Sequence, residues 1–189
     1  VTAVGYLSGA SWGYAWAPPD TAVTRELNRP EISAWAECVM VPAVVQSAYR
    51  PLPLTLAGVD PAREKTLSII PKDMAEGSYL STSDGYDIVL GRHFAERLKT
   101  RVGKRVIILA QATDGTLSEQ SYTVVGLFGG NQQVEDAYAF VGKQSAQQML
   151  GLGDNISEIS FKLVNDATRG KVITDLRAAA PKLDVEPWT

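Results

Sequence analysis

The stretch IVLGRHFAERLKTRVGKRVIILAQATDGTLSEQSYTVVGLF (Ile88–Phe128) decides the fold class. It opens on a short apolar strand, Ile88 to Gly91, and passes into a helix with Phe94, Ala95 and Leu98 on one face. Gly103 stands where a C-cap glycine is expected. Val106 to Ala110 is a continuous apolar strand, Asp114-Gly115 marks a turn, and Tyr122 to Phe128 returns, so 106–128 reads as a hairpin. Gly126, Gly129 and Gly130 place a bulge or tight bend at its far end.

Working outward, Gly77 to Leu80 and a polar turn at Ser81–Gly85 precede this stretch, and Tyr138 to Val141 supplies one more short strand after it. Short strands at such spacing point to a small barrel-like or sandwich-like β unit. The tail differs. Ser145 to Gln148 has a capping-box pattern before Met149 and Leu150, with Gly151 closing the helix. Ile159, Phe161 and Leu163 alternate with polar residues as a half-buried strand does. Asn165 or Asp166 caps a helix carrying Val172, Ile173 and Leu176, which Pro181 ends before a last strand at Leu183–Trp188. In the first third, Asp20 caps a helix over Thr21–Leu27, Ile32–Val45 is strand-like, and Leu52–Val59 is a strand whose prolines suit an edge. The expected fold is therefore α+β, with a β-rich middle inserted into an α/β-type outer portion. No internal repeat is evident.

Composition excludes several classes. The 189 residues carry 18 Lys+Arg against 21 Asp+Glu, and 45% are hydrophobic, which fits a folded globular chain. No run approaches the roughly 20 apolar residues a transmembrane helix needs, and nothing in the given residues reads as a signal peptide, so none is expected within them. Val1 is not an initiator Met, so the chain is expected to be processed or excised from something longer. Residues 1–90 hold 6 basic and 10 acidic side chains and residues 91–189 hold 12 and 11, so neither half has a field suited to nucleic acid. Arg92, Arg97, Lys99, Arg101, Lys104 and Arg105 form a local basic cluster, read as a solvated helix face running into a turn or as a contact surface for an acidic partner.

No enzyme emerges from the residues. Gly9-Ala10-Ser11-Trp12-Gly13 matches the nucleophile-elbow pattern by letter, but Pro18-Pro19 forbids the helix that motif requires, and His93 is the sole histidine. Cys38 stands alone, so neither a disulfide nor a cysteine-rich metal site is expected, and it reads as a small buried hydrophobe. Asp84 and Asp87 flank Gly85 without calcium-loop spacing and read as a polar hairpin tip. Gly142-Lys143-Gln144 lacks the rest of a phosphate loop. Tyr6, Trp12, Tyr14 and Trp16 either cover a small sheet or stack on a sugar or membrane surface. No catalytic, cofactor-binding or metal residue is nominated.

From Gly58 the order of signals is specific. Gly58-Val59-Asp60-Pro61 with Glu64 comes first, then Gly77–Leu80, Ile88–Gly91 with Ala95 and Leu98, and Val102-Gly103. Val124–Phe128, Asp136, the Gln147/Leu150 helix, Ile159–Val164, Leu176 and Trp188 follow. This ordered set resembles the MacB-like periplasmic core domain of ABC-transporter permeases of the MacB, LolC/LolE and FtsX-like group. The resemblance implies a porter-like α/β part over 1–57 and 145–189, with a β-rich sabre-like part, 58–144, inserted. It implies a non-catalytic extracytoplasmic domain at the bacterial inner membrane that couples cytoplasmic ATP hydrolysis to mechanical handling of cargo, by lipoprotein release or efflux. The implied partners are a separate ATPase subunit, a second permease half or a homodimer, and a periplasmic adaptor or lipoprotein carrier. LolC relatives carry a hook-like hairpin that grips the carrier; no residue here is matched to it. The alternative is a free-standing secreted glycan- or lipid-binding module.

Overall fold

A 15-residue strand is the spine of the molecule. The computed structural model describes residues 4–9, 21–67, 70–179 and 183–187. Its first elements are β1 (Val4–Gly9), α1 (Thr21–Leu27), the spine β2 (Ile32–Gln46), β3 (Pro51–Val59) and α2 (Pro61–Leu67). The middle runs through β4 (Met74–Gly77), β5 (Asp87–Gly91), α3 (Arg92–Leu98), β6 (Arg105–Gln111), β7 (Leu117–Phe128) and α4 (Gln132–Ala137). The last are β8 (Tyr138–Gly142), α5 (Lys143–Leu150), β9 (Glu158–Leu163), α6 (Arg169–Ala179) and β10 (Leu183–Pro187).

The described strands join in one mixed sheet, ordered β10-β1-β9-β2-β3-β8-β5-β7-β4, with β6 pairing both β2 and β7. That double pairing closes a ring of six strands, β2-β3-β8-β5-β7-β6 and back to β2. One face of each strand fills the ring: Val41 and Val45 of β2, Leu56 of β3, Ile88 and Leu90 of β5, Ile108 of β6, Val124 of β7 and Val141 of β8 are all buried there. The period-2 alternation of these strands divides inward from outward residues. Phe94 and Leu98 of α3 and Leu150 of α5 belong to the same core. The ring takes β5, β6, β7 and β8 from the middle of the chain but β2 and β3 from its first third, so the middle does not close a barrel alone; the fold mixes helices and strands as an α+β chain does.

The start of β2 leaves the ring and pairs with β9, while Val44–Gln46 pair with β6. Pro42 lies in the gap between these two neighbours, so its missing N–H removes no ladder bond on that side. A second core, with Phe161, Ile159, Leu27, Val172 and Leu176, packs α1 and α6 on this outer part. Arg29 ties it together: its guanidinium contacts Glu26 and Glu31 at 3.0 Å and Asp175 at 2.6 Å. A third core lies outside the ring around Val59, Val89 and Phe128.

Several local expectations are corrected. β3 is not an edge strand; it lies between β2 and β8, and its prolines are tolerated because β8 pairs only from Thr55 onward. Lys99 (φ 57), not Gly103, holds the left-handed C-cap of α3, while Gly103 (φ 92) serves the next turn. The N-cap of α5 is Gly142, and Ser145 lies inside the helix, buried. Residues 81–86 are no hairpin tip, since β4 and β5 each pair with β7 rather than with each other. Gly151 closes α5 as expected, Asn165 accepts from Ala167 N, and Val125 is the extra residue of a bulge against β5. The proposed caps and breakers at Asp20 and Pro181 lie outside the described residues.

Candidate functional site

Ser11, Trp12, Tyr14 and Trp16 lie outside the described residues, as does the side chain of Tyr6. Gly9 closes β1 beside Leu183 of β10. His93 belongs instead to a charged clasp on the ring. Its Nδ1 stands 2.9 Å from Asp136 Oδ1 and from Oδ2, and Arg97 reaches the same carboxylate at 3.4 Å. Burial raises the Asp136 carboxyl, but the hydrogen bonds and charges of His93 and Arg97 override it and hold it below the usual range. The neighbouring Glu135 is buried, and its Oε1 accepts the His93 backbone N–H at 3.1 Å. A carboxylate thereby caps a helix whose own N-cap, Gly91, has no side chain to do so. The helix α4 that carries both acids had no clear signal in the sequence beyond Asp136.

The same device recurs at α5. Its N-cap is Gly142, and the first turn is satisfied by Ser83: Ser83 Oγ accepts from Gln144 N at 3.3 Å and Ser83 O from Ser145 N at 3.1 Å. Inside the ring, the Ser145 hydroxyl bonds Tyr122 Oη at 2.8 Å.

A buried acidic group lies where α2 meets β2 and β9. Cys38 Sγ donates to Glu158 Oε2 at 3.6 Å, with Glu64 alongside. Burial, then the charges of Glu158 and Asp60, push the Glu64 carboxyl up to about 7. Burial raises Glu158 too, against the lowering effect of its bond to Cys38. The Cys38 thiol is pushed well above its ordinary range by burial first and the two acids second. Cys38 is thus the buried residue its flanks predicted. Nothing in the sequence marks Glu64 as buried or Glu158 as half-buried beside it, because helix α2 and strand β9 meet only in the fold.

At the waist, between β2 and α5, a polar cleft of about 620 Å³ is lined by Glu37, Lys143, Gln144, Gln147, Gln148 and Asp154. Lys143 and Glu37 pair across it at 3.5 Å. Asp84 and Asp87 do not line this cleft, and no group of three or more His, Cys, Asp or Glu among the described residues is arranged to hold a metal. The described site chemistry is that of hydrogen bonding and charge pairing, without a nucleophile aligned on a base. The basic cluster divides: Arg97 faces Asp136 and Arg92 stands 4.0 Å from Glu135, whereas Lys99, Arg101, Lys104 and Arg105 lie beyond α3.

Comparison with known proteins gives a consistent answer. The model of the family described as MacB-like periplasmic core domain matches residues 2–179. A lipoprotein-releasing system transmembrane protein LolC from Xylella fastidiosa (strain Temecula1) is 29% identical over 177 residues, covering 89% of this chain and 42% of that protein. The LolC of strain 9a5c matches to the same extent, so the chain spans less than half the length of these relatives. In fold, the periplasmic region of MacB from Actinobacillus actinomycetemcomitans superposes with a TM-score of 0.66 at 13% identity, covering 99% of this chain and 88% of that one. The extracellular domain of the transporter YknZ from Gram-positive bacteria also gives 0.66, at 12% identity, covering 99% of this chain and all of that one.

Proposed function

Because this chain belongs to the MacB-like periplasmic core domain family, we propose that it is the extracytoplasmic domain of an ABC-transporter permease. It passes to cargo a movement driven by ATP hydrolysis in a separate cytoplasmic subunit. The observation that carries this reading is the meeting of the chain ends. β1 and β10 pair antiparallel with Gly5 opposite Pro187, so the two ends leave the sheet side by side. A domain hung between two membrane helices needs that geometry. No helix among the described residues is long and apolar enough to cross a membrane, and this reading places the spans in flanking sequence.

In this reading the outer part, residues 1–57 with 145–189, is the porter-like element next to the membrane, and 58–144 is the inserted sabre-like element. β2 and most of β3 belong by these bounds to the outer part, yet they pair with β6 and β8 of the inserted part and complete the strand ring, which ties the two parts together for transmitted movement. The permease works with a second half or as a homodimer. Lipoprotein release is the favoured cargo process, because the curated relatives are named for it.

The full reading frame is the test. Apolar helices of about 20 residues before Val1 and after Thr189, with an adjacent ATPase gene, are expected. A frame with a cleaved leader that stops near Thr189 removes the permease reading and leaves the free-standing binding module. ATP-dependent release of a lipoprotein from proteoliposomes holding the full permease and its ATPase then separates release from efflux.

A further inference from the structure

The turn after α3 and the turn between β2 and β3 enclose a cleft of about 400 Å³, lined by Ser47, Tyr49, Lys99, Arg101, Lys104 and Arg105. All four cations are exposed, and among the described residues none of them forms an ion pair. Four positive charges thus gather in one concavity of a chain whose net charge is −3, and concave walls focus such a field.

The walls are built rather than loose. Ser47 Oγ donates to Leu98 O at 2.6 Å and accepts from the backbone N–H groups of Tyr49 and Arg50, pinning the β2–β3 turn to the end of α3. Lys99 adopts φ 57, a conformation few non-glycine residues hold, and its backbone N–H closes the helix. Its ammonium stands 5.8 Å from the Tyr49 ring centroid. That ring is 71% exposed, an aromatic held at the rim of a basic cleft, as interface anchors are.

We propose that this cleft docks an acidic polypeptide segment of an extracytoplasmic partner protein. Its placement rests on the permease reading. Pairing sets Val4 level with Lys162 and Lys162 level with Ala34, so the chain ends lie beside the start of β2. Ser47 follows the far end of that strand, and at 3.2–3.4 Å per residue the cleft is about 40 Å along the strand from the ends. The cations therefore stand several Debye lengths, about 8 Å each, from a membrane beside the chain ends. Carboxylates of a protein partner, not lipid phosphates, are the charges within reach. The volume holds a few side chains, and Tyr49 offers apolar contact to the stems of Glu residues.

The test uses a fluorescein-labelled oligoglutamate peptide, its oligoglutamine counterpart, inorganic phosphate and phosphatidylglycerol vesicles against the 189-residue chain. Oligoglutamate is expected to bind, more weakly as salt rises, with amide shift changes confined to 47–50 and 99–105. The double variant Arg101→Gln/Lys104→Gln should bind about tenfold more weakly, and the equally charged control Lys65→Gln/Lys72→Gln less than about twofold. All four sites are exposed, so unchanged melting temperatures establish that both variants are folded. No oligoglutamate binding, equal losses in both variants, or binding to vesicles or phosphate in preference to the peptide each overturns the proposal. A reading frame without membrane spans would sink the permease assignment and leave a positive binding result standing. A confirmed permease with an inert cleft sinks this proposal alone.

Discussion

Gly91 and Gly142 occupy equivalent places in two strand–glycine–helix units that lie antiparallel across the β5–β8 pair. Their backbones match, at φ −66, ψ 141 and φ −65, ψ 141. A Cβ on Gly91 would stand 2.1 Å from Glu135 O, and one on Gly142 the same 2.1 Å from Ser83 O. Each contact comes from the segment leading into the other unit's strand. The caps are exchanged in the same way, Glu135 capping α3 at His93 N and Ser83 capping α5 at Gln144 N. Written side by side, Gly91-Arg92, Ala95 and Leu98 face Gly142-Lys143, Ala146 and Met149, a short internal repeat that no long-range sequence pattern reveals.

The glycines should therefore be intolerant of a single methyl group. Gly91→Ala and Gly142→Ala are each expected to lower stability by about 2–3 kcal/mol in urea unfolding. Gly129→Ala, whose Cβ would meet its first neighbour at 3.6 Å, should stay within about 0.5 kcal/mol. Removing the exchanged cap by Glu135→Ala should cost about 1–2 kcal/mol. Equal effects at Gly91 and Gly129 would refute the close approach.

Stability should carry a pH signature from Glu64. Burial first, then Glu158 and Asp60, raise its folded value to about 7, against 4.5 ordinarily. The folded state thus keeps a proton that the unfolded state releases. The favourable contribution is complete below pH 4.5, declines as pH rises to 7, and is gone above it. Relative to Glu64→Gln, the protein should lose up to about 3 kcal/mol across that window. Parallel stability curves for the two proteins would show that Glu64 is solvated.

Cys38 should be chemically silent in the native state. It is 5% exposed, and burial with two adjacent acids disfavours its thiolate. Reaction with a thiol-specific disulfide reagent at pH 8 is expected to be slower by at least about a hundredfold than in denaturant, tracking global unfolding. Prompt native labelling would place Cys38 on the surface.

Ser145 is a core tether rather than a helix cap. Tyr122→Phe and Ser145→Ala should each destabilise by about 1 kcal/mol, and the double variant by less than their sum. Additive losses would mean that the 2.8 Å hydroxyl contact carries no coupling.

Local patterns in the chain settled much of this protein. The continuous apolar run Val106–Ala110, alternation in Ile159–Leu163, the Asp114-Gly115 turn and the apolar faces of α3 and α6 each depend on neighbours within one element, so local pattern and turn chemistry suffice to read them. The ordered signals from Gly58 carried the family for a related reason, since close backbone approaches and core positions leave marks at fixed intervals. Partners far apart in sequence were decided only by the tertiary structure. β3 lies inside the sheet because β8, about 80 residues on, covers its second half while sparing its prolines. The helix over 132–137 exists where Asn131 caps it and Glu135 is held in the core, neither of which local hydrophobicity announces. The basic cluster is split by α4, whose two acids approach Arg92 and Arg97, while the turn at 47–50 shapes the remaining four cations into a cleft. Charge type is written residue by residue, but compensation of charge is a distance, and distances across the ring exist only once its strands close.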